Sequence, residues 1–153
     1  LVAVYVQMGG GALASSLARG LAEGGSDARV IAVQTEGCAP FDRAWRRVEQ
    51  VGLDEAVHHR SAAMRPWESE PNSAATGILD DETYDWAGVA AGLELSHGTS
   101  VVAPESAVVR AHALAHEHTT IDADPTGTAG LAGVLTAATA GAVGVLFTGL
   151  TRR

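Results

Sequence analysis

The chain has 153 residues, of which 46% are hydrophobic and 18% charged, with a formal net charge of −8. This composition predicts a single folded domain over residues 1–153 rather than a disordered chain. The negative charge, without any basic run, argues against nucleic acid and anionic membranes as partners. No apolar stretch approaches the roughly 20 residues that span a bilayer. The single cysteine, Cys38, rules out an internal disulfide, so we expect a cytoplasmic protein.

The first half of the chain predicts strands and helices in alternation. Residues 2–7 form a buried strand, and the leucines spaced by four residues in 12–23 predict a helix that stops at paired glycines. Residues 29–33 predict a second strand. A second helix follows, because apolar residues recur at helical spacing: Phe41, Ala44, Trp45 and Val48. Residues 52–72 are irregular and charged, which predicts a loop-rich excursion.

The second half continues the alternation. Residues 80–98 predict a third helix with an acidic start formed by Asp80, Asp81, Glu82 and Asp85. A third strand over 99–104, a fourth helix over 106–118, a fifth helix over 124–138 and a last strand over 142–149 follow. Asp124 and Pro125 suit the start of the fifth helix. The pattern predicts an α/β fold with a parallel sheet and helices on both faces, whose ligands gather at the carboxyl ends of the strands.

A run of three glycines separates the first strand from the first helix. Glycines at a helix start let consecutive backbone amides turn toward one anion, so a phosphate cradle is predicted from Gly9, Gly10, Gly11, Ala12 and Leu13. The run is not a Walker A loop, which needs a following lysine. It also departs from the dinucleotide pattern, whose third glycine would replace Ala14. Tight packing of strand on helix, without a ligand, is the alternative.

Four segments in order carry a resemblance to a known family: "VYVQMGGGALASSLARGLAE", "VIAVQTEGCAP", "DPTGTAGLAGVL" and "VLFTG". Together they resemble the carboxyl-terminal half of the fold-type-II pyridoxal-phosphate enzymes, which include threonine synthase, threonine dehydratase and the tryptophan synthase β chain. The stretch "VQTEGCAP" looks most like the threonine synthase branch. The resemblance implies the carboxyl-terminal part of the large domain of the tryptophan synthase β-like fold, with pyridoxal 5'-phosphate as cofactor.

The resemblance also implies roles for individual residues. The family's phosphate loop falls on Gly9, Gly10, Gly11, Ala12 and Leu13, and the residue facing the pyridine nitrogen falls on Thr148. The lysine that bonds the cofactor's aldehyde belongs to an amino-terminal segment that this sequence lacks. All ten basic residues are arginines, so no catalytic residue is expected here. We expect the chain to be a fragment of a longer enzyme and to be inactive alone.

Three functions remain open. The first is a threonine synthase-like lyase, which converts phospho-homoserine to threonine and phosphate. The second is a threonine or serine dehydratase-like lyase, because the glycine run looks more like the dehydratase loop than the asparagine-containing loop of many threonine synthases. The third is a non-catalytic module or subunit that binds a phosphate-bearing ligand. The expected partners are a small amino-acid substrate and either a second copy of the chain or the missing amino-terminal part.

Other reactive residue types favour structural roles. His112 and His116 share a helix face, but no carboxylate or cysteine obviously converges on them, so no metal site is predicted. Ser15 lacks a nucleophile-elbow motif. Cys38 has no adjacent base or cation to activate it. Thr126 and Thr128 either cap the fifth helix or line the cofactor pocket.

Overall fold

The sheet consists of four parallel strands in the order β3-β2-β1-β4. The computed structural model describes residues 1–150. The strands are β1 Ala3–Gln7, β2 Arg29–Thr35, β3 Thr99–Ala103 and β4 Val143–Val145. The helices are α1 Ala12–Glu23, α2 Pro40–Val51, α3 Leu53–His58, α4 Arg60–Ala63, α5 Trp86–Leu95, α6 Glu105–His118 and α7 Pro125–Ala137, with a 3-10 turn at Thr76–Ile78.

Side chains alternate across the sheet and build two cores. Val6 and Val30 pack on one face under α1, α2 and α5. Tyr5 and Ile31 pack on the other face under α6 and α7. Because successive strand residues point to opposite faces, short apolar runs supply both layers. This arrangement confirms the predicted fold class, a parallel α/β sheet with helices on both faces.

Close helix packing depends on two glycines. A Cβ built on Gly92 in α5 would overlap the Ala18 Cβ in α1, and a Cβ on Gly133 in α7 would lie 3.0 Å from the Tyr5 ring. Helix α5 can therefore approach α1 closely, and α7 can lie directly on β1 and β2. This packing places α1 and α7 on opposite faces of the sheet beside the end of β1.

Two predicted elements are shorter than expected: the third helix starts later, and the last strand ends earlier. Of the four acidic residues, only Asp85 lies at the start of the third helix: it is the N-cap of α5, which begins at Trp86 and has no acidic residue in its first turn. Glu82 instead pairs with Arg60, at 2.6 Å. The last strand stops at Val145 and not at residue 149. The Leu146 amide still donates to the Tyr5 carbonyl at 3.2 Å, but farther along the Gly149 carbonyl accepts from the Asp124 amide at 3.1 Å.

The predicted loop-rich excursion over residues 52–72 is partly helical. The short helices α3 and α4 lie within it, and Ala56 and Ala63 pack into the core beside α2. They are too short to be predicted from the sequence, since a helix of four to six residues shows little periodicity. Within residues 1–150, no helix is long and apolar enough to cross a membrane.

Candidate cofactor site

The glycine loop joins the carboxyl end of β1 to the first turn of α1. Gly11 is the N-cap of α1 and adopts a left-handed conformation, with φ of 98°, and no side chain caps the helix. Any side chain at Gly11 would be strained there, and its Cβ would crowd Thr83 at 3.0 Å. Within residues 1–150, the amides of residues 10–13 have no hydrogen-bond acceptor. These unpaired donors at the positive end of a helix form a site for an anion.

A cavity of about 460 Å³ opens at this loop. It lies at the carboxyl ends of the parallel strands, where ligands of such sheets bind. All six residues predicted from the sequence line it: Gly9, Gly10, Gly11, Ala12, Leu13 and Thr148. Their contact with the cofactor stays a prediction. The 3-10 turn, Tyr84, Asp85 and Thr126 supply further parts of the wall.

Gln7 is a cavity residue that the sequence analysis missed. It is the last residue of β1, its side chain is 4% exposed, and its amide nitrogen donates a hydrogen bond to the Thr148 hydroxyl. Thr148 itself is exposed at the cavity wall. A polar residue ending a buried apolar strand was the available signal, since such residues need a partner inside the fold.

The charged groups around the loop are carboxylates. Asp85 lines the cavity and accepts a hydrogen bond from the Ser15 hydroxyl, while its backbone amide donates to the Gly10 carbonyl at 2.9 Å. Asp80 lies against Gly9, where a Cβ would overlap its carboxylate. Among residues 1–150, no arginine or histidine lines the cavity. The attraction for an anion therefore comes from backbone amides and the helix end.

Of the remaining candidates, the two histidines and Thr128 make contacts within the fold, and Thr126 lines the cavity. The rings of His112 and His116 pack edge to face with centroids 4.5 Å apart, and His116 Nε2 hydrogen-bonds the Ala123 carbonyl at 3.0 Å. No group of three metal-ligating side chains occurs in the described residues. Thr128 is buried and donates to the Asp124 carbonyl at 3.1 Å, whereas Thr126 lines the cavity and accepts from the Gly77 amide at 2.9 Å. Thr128 thus bonds within the first turn of α7, and Thr126 lines the cavity.

Comparison with protein families identifies the family to which the chain belongs. The family described as "Pyridoxal-phosphate dependent enzyme" matches residues 1–149. The chain belongs to this family. The family depends on pyridoxal phosphate, in agreement with the cofactor that the resemblance implied. Among curated proteins, none matches the chain significantly.

Solved structures of pyridoxal-phosphate dependent enzymes share the fold. A threonine deaminase from T.th. has a TM-score of 0.75 at 22% identity, over 99% of this chain and 50% of that one. Maize serine racemase has a TM-score of 0.72 at 19% identity, over 100% of this chain and 44% of that one. A fungal L-serine ammonia-lyase from Rhizomucor miehei has a TM-score of 0.68 at 22% identity, over 98% and 45%. The chain thus spans about half the length of these relatives.

The residues of the cavity fit the two polar ends of the family's cofactor. The unpaired amides of residues 10–13 suit a phosphate. The Thr148 hydroxyl, exposed in the same cavity, suits a ring nitrogen. The chain contains no lysine to bond the aldehyde, so the fit extends to binding and not to covalent attachment.

Proposed function

We propose that this chain supplies the phosphate cradle and the pyridine-nitrogen contact of a pyridoxal-phosphate dependent lyase acting on a small amino acid. The observation that carries the proposal is one cavity lined by both the unpaired amides of the glycine loop and the Thr148 hydroxyl. The lysine that bonds the aldehyde comes from outside these 153 residues. Cytoplasmic location and association with a second chain or segment belong to the same proposal.

A dehydratase-like reaction is the better-supported lyase activity. Two of the similar structures are named threonine deaminase and L-serine ammonia-lyase. The threonine synthase alternative rests on "VQTEGCAP", a segment whose residues make contacts inside the fold and do not reach the cavity. Gln34 accepts hydrogen bonds from the start of α2, and Cys38 is buried. None of residues 33–40 lines the cavity. We therefore place loss of a β-hydroxyl group ahead of phosphate elimination from phospho-homoserine.

The chain's residues hold and polarise the cofactor. Pyridoxal phosphate, when bound, withdraws electrons from the substrate's α-carbon. The amides of Gly10, Gly11, Ala12 and Leu13 bind its phosphate without carrying a charge of their own. The Thr148 hydroxyl binds its ring nitrogen as a neutral partner, unlike an aspartate, which would keep that nitrogen protonated. A less strongly withdrawing ring suits elimination at the β-carbon, since it limits competing reactions at the α-carbon.

Replacing Gly10 with valine tests the cradle. A Cβ at Gly10 makes only ordinary contacts, 3.5 Å from the Tyr84 ring and 3.8 Å from the Asp80 carboxylate, and its φ is not positive. The protein therefore tolerates the side chain, but a bound phosphate would not. We expect affinity for pyridoxal phosphate, measured by calorimetry, to fall at least ~10-fold, about 1.4 kcal/mol.

Gly20→Val is the matched control, since a Cβ at Gly20 on α1 meets nothing within 4 Å. It should leave affinity unchanged. Equal affinity in the Gly10→Val variant and the unmodified chain would count against the cradle, and thermal melting of both variants separates lost binding from lost folding.

A further inference from the structure

Gln7 is a polar residue at a buried position, where an apolar side chain would leave no polar atom unpaired. It ends β1 at 4% exposure, and its side-chain carbonyl oxygen is buried without a hydrogen-bond partner in residues 1–150. An unpaired buried polar atom destabilises the fold, because it loses its bonds to water without replacement. The other end of the amide is used, because its nitrogen donates to Thr148. A buried glutamine with one orphaned atom and one specific bond indicates a role for that bond.

The direction of the bond decides what Thr148 can offer a ligand. An amide nitrogen can only donate, so the Thr148 oxygen accepts. The single hydroxyl hydrogen of Thr148 then points away from Gln7. Because Thr148 is exposed at the cavity wall, that hydrogen is available to an acceptor in the cavity. An unprotonated ring nitrogen is such an acceptor, whereas a protonated one would need a lone pair of the Thr148 oxygen, and the bond from Gln7 already occupies one of the two.

We propose that Gln7 is a positioning residue that orients the Thr148 hydroxyl as a hydrogen-bond donor and thereby lowers the pKa of the bound cofactor's ring nitrogen. The inference rests on the proposed function, since it needs a pyridine ring beside Thr148. It adds to that function a residue of the cavity wall that influences the protonation of the ring through Thr148.

Three carboxylates near the site oppose this effect, because negative charge favours a protonated ring nitrogen. Asp85 accepts from the Ser15 hydroxyl, and Asp124 accepts from the Gly127 amide at 2.7 Å and lies beside Gly149. Asp80 lies against Gly9. Asp85 and Asp124 are thus bound by other donors. No arginine or histidine of the described residues lines the cavity to offset them, so the directed hydroxyl is the group that disfavours protonation.

The test uses pyridoxine 5'-phosphate, which has the phosphate and ring nitrogen but no aldehyde, so binding requires no lysine. The pKa of the bound probe's ring nitrogen is read from its ultraviolet absorbance across pH. Gln7→Met keeps the side chain's length and removes the donor. We expect it to raise that pKa by about one unit, a ~10-fold change in the protonation equilibrium, with affinity for inorganic phosphate changed less than twofold.

A double-mutant cycle shows whether Gln7 acts through Thr148. In the Thr148→Val background, Gln7→Met should cause no further change in the ring-nitrogen pKa. Gln7→Leu repeats the test should the methionine variant fold poorly, and Gln50→Met at an exposed position of α2 is the control. An unchanged pKa in both Gln7 variants, or the same shift without the Thr148 hydroxyl, overturns the inference alone. A probe that fails to bind the unmodified chain overturns the proposed function and the inference together.

Discussion

Cys38 shows how one buried residue is made inert by its surroundings. Its side chain is fully buried, and its Sγ donates to the Asp80 carbonyl at 3.2 Å. Burial, with the nearby charges of Asp80 and Asp81, raises the pKa of the Cys38 thiol to about 11, against a smaller opposing effect of Arg43. The thiolate is the reactive form of cysteine. Cys38 is therefore a buried and unreactive residue.

We expect the folded chain to resist alkylation at pH 8. The pKa rises from 9.0 to about 11, which lowers the thiolate fraction about 100-fold. Iodoacetamide labelling followed by mass spectrometry should show slow modification of the native chain and rapid modification in urea. The unfolded thiol ionises near pH 9 while the folded thiol stays protonated, so stability should also fall as pH rises from about 9 to 11. Equal labelling rates in native and unfolded protein would contradict the prediction.

At the scale of elements, helix α2 is capped by a strand residue. Its N-cap residue, Ala39, has no side chain that can accept a hydrogen bond. Gln34 of β2 takes that place: its carbonyl oxygen accepts from the amides of Phe41 at 3.0 Å and Asp42 at 3.2 Å. The bond fixes α2 to the carboxyl end of β2. The fully buried Gln34 side chain thus accepts hydrogen bonds from the first amides of α2, as an N-cap side chain usually does.

Removing this cap should destabilise the fold. Gln34→Leu leaves two buried amides without an acceptor, which should cost about 1–3 kcal/mol. Urea denaturation measures the difference in free energy of unfolding. Gln50→Leu, at an exposed position in the same helix, is the matched control and should stay within about 0.5 kcal/mol. A Gln34→Leu variant as stable as the control would show that water or a neighbouring group replaces the cap.

At the scale of the whole molecule, the chain contains the candidate cofactor cavity but no lysine. The cavity lies at the carboxyl end of β1, the neighbour of β4, which is an edge strand in the described part of the sheet. All ten basic residues are arginine. Attachment to an aldehyde needs a primary amine, and a guanidinium cannot replace it. We therefore expect any binding of the cofactor by this chain alone to be non-covalent.

We expect pyridoxal phosphate and borohydride to leave every internal side chain of the isolated chain unmodified. Reduction should add cofactor mass only at the N-terminal amine, as located by peptide mass spectrometry. Arg19→Lys is a positive control, because that side chain is 77% exposed and a lysine there can react. Cofactor mass on an internal residue of the unmodified chain would refute the argument.

The sequence by itself determined the features that depend on local patterns. The bounds of α1 agree with prediction because evenly spaced leucines and terminal glycines mark both ends. The alternation of strands and helices implied a parallel sheet, and the glycine run marked the loop. The absence of lysine needed no structure. These features follow from periodicity, backbone freedom and composition, which can be read from the sequence without knowledge of contacts between distant residues.

Only the tertiary structure decided the rest. The strand order, the early end of β4 and the Gln34 cap depend on contacts between distant segments. Gln7 and Thr148 are 141 positions apart, and they meet because β1 and β4 pair in parallel and end at the same edge. A hydrogen bond at that separation leaves no periodic trace in the sequence. The glycine loop was therefore visible in the local sequence, whereas the hydrogen bond between Gln7 and Thr148 was decided by the packing of the sheet.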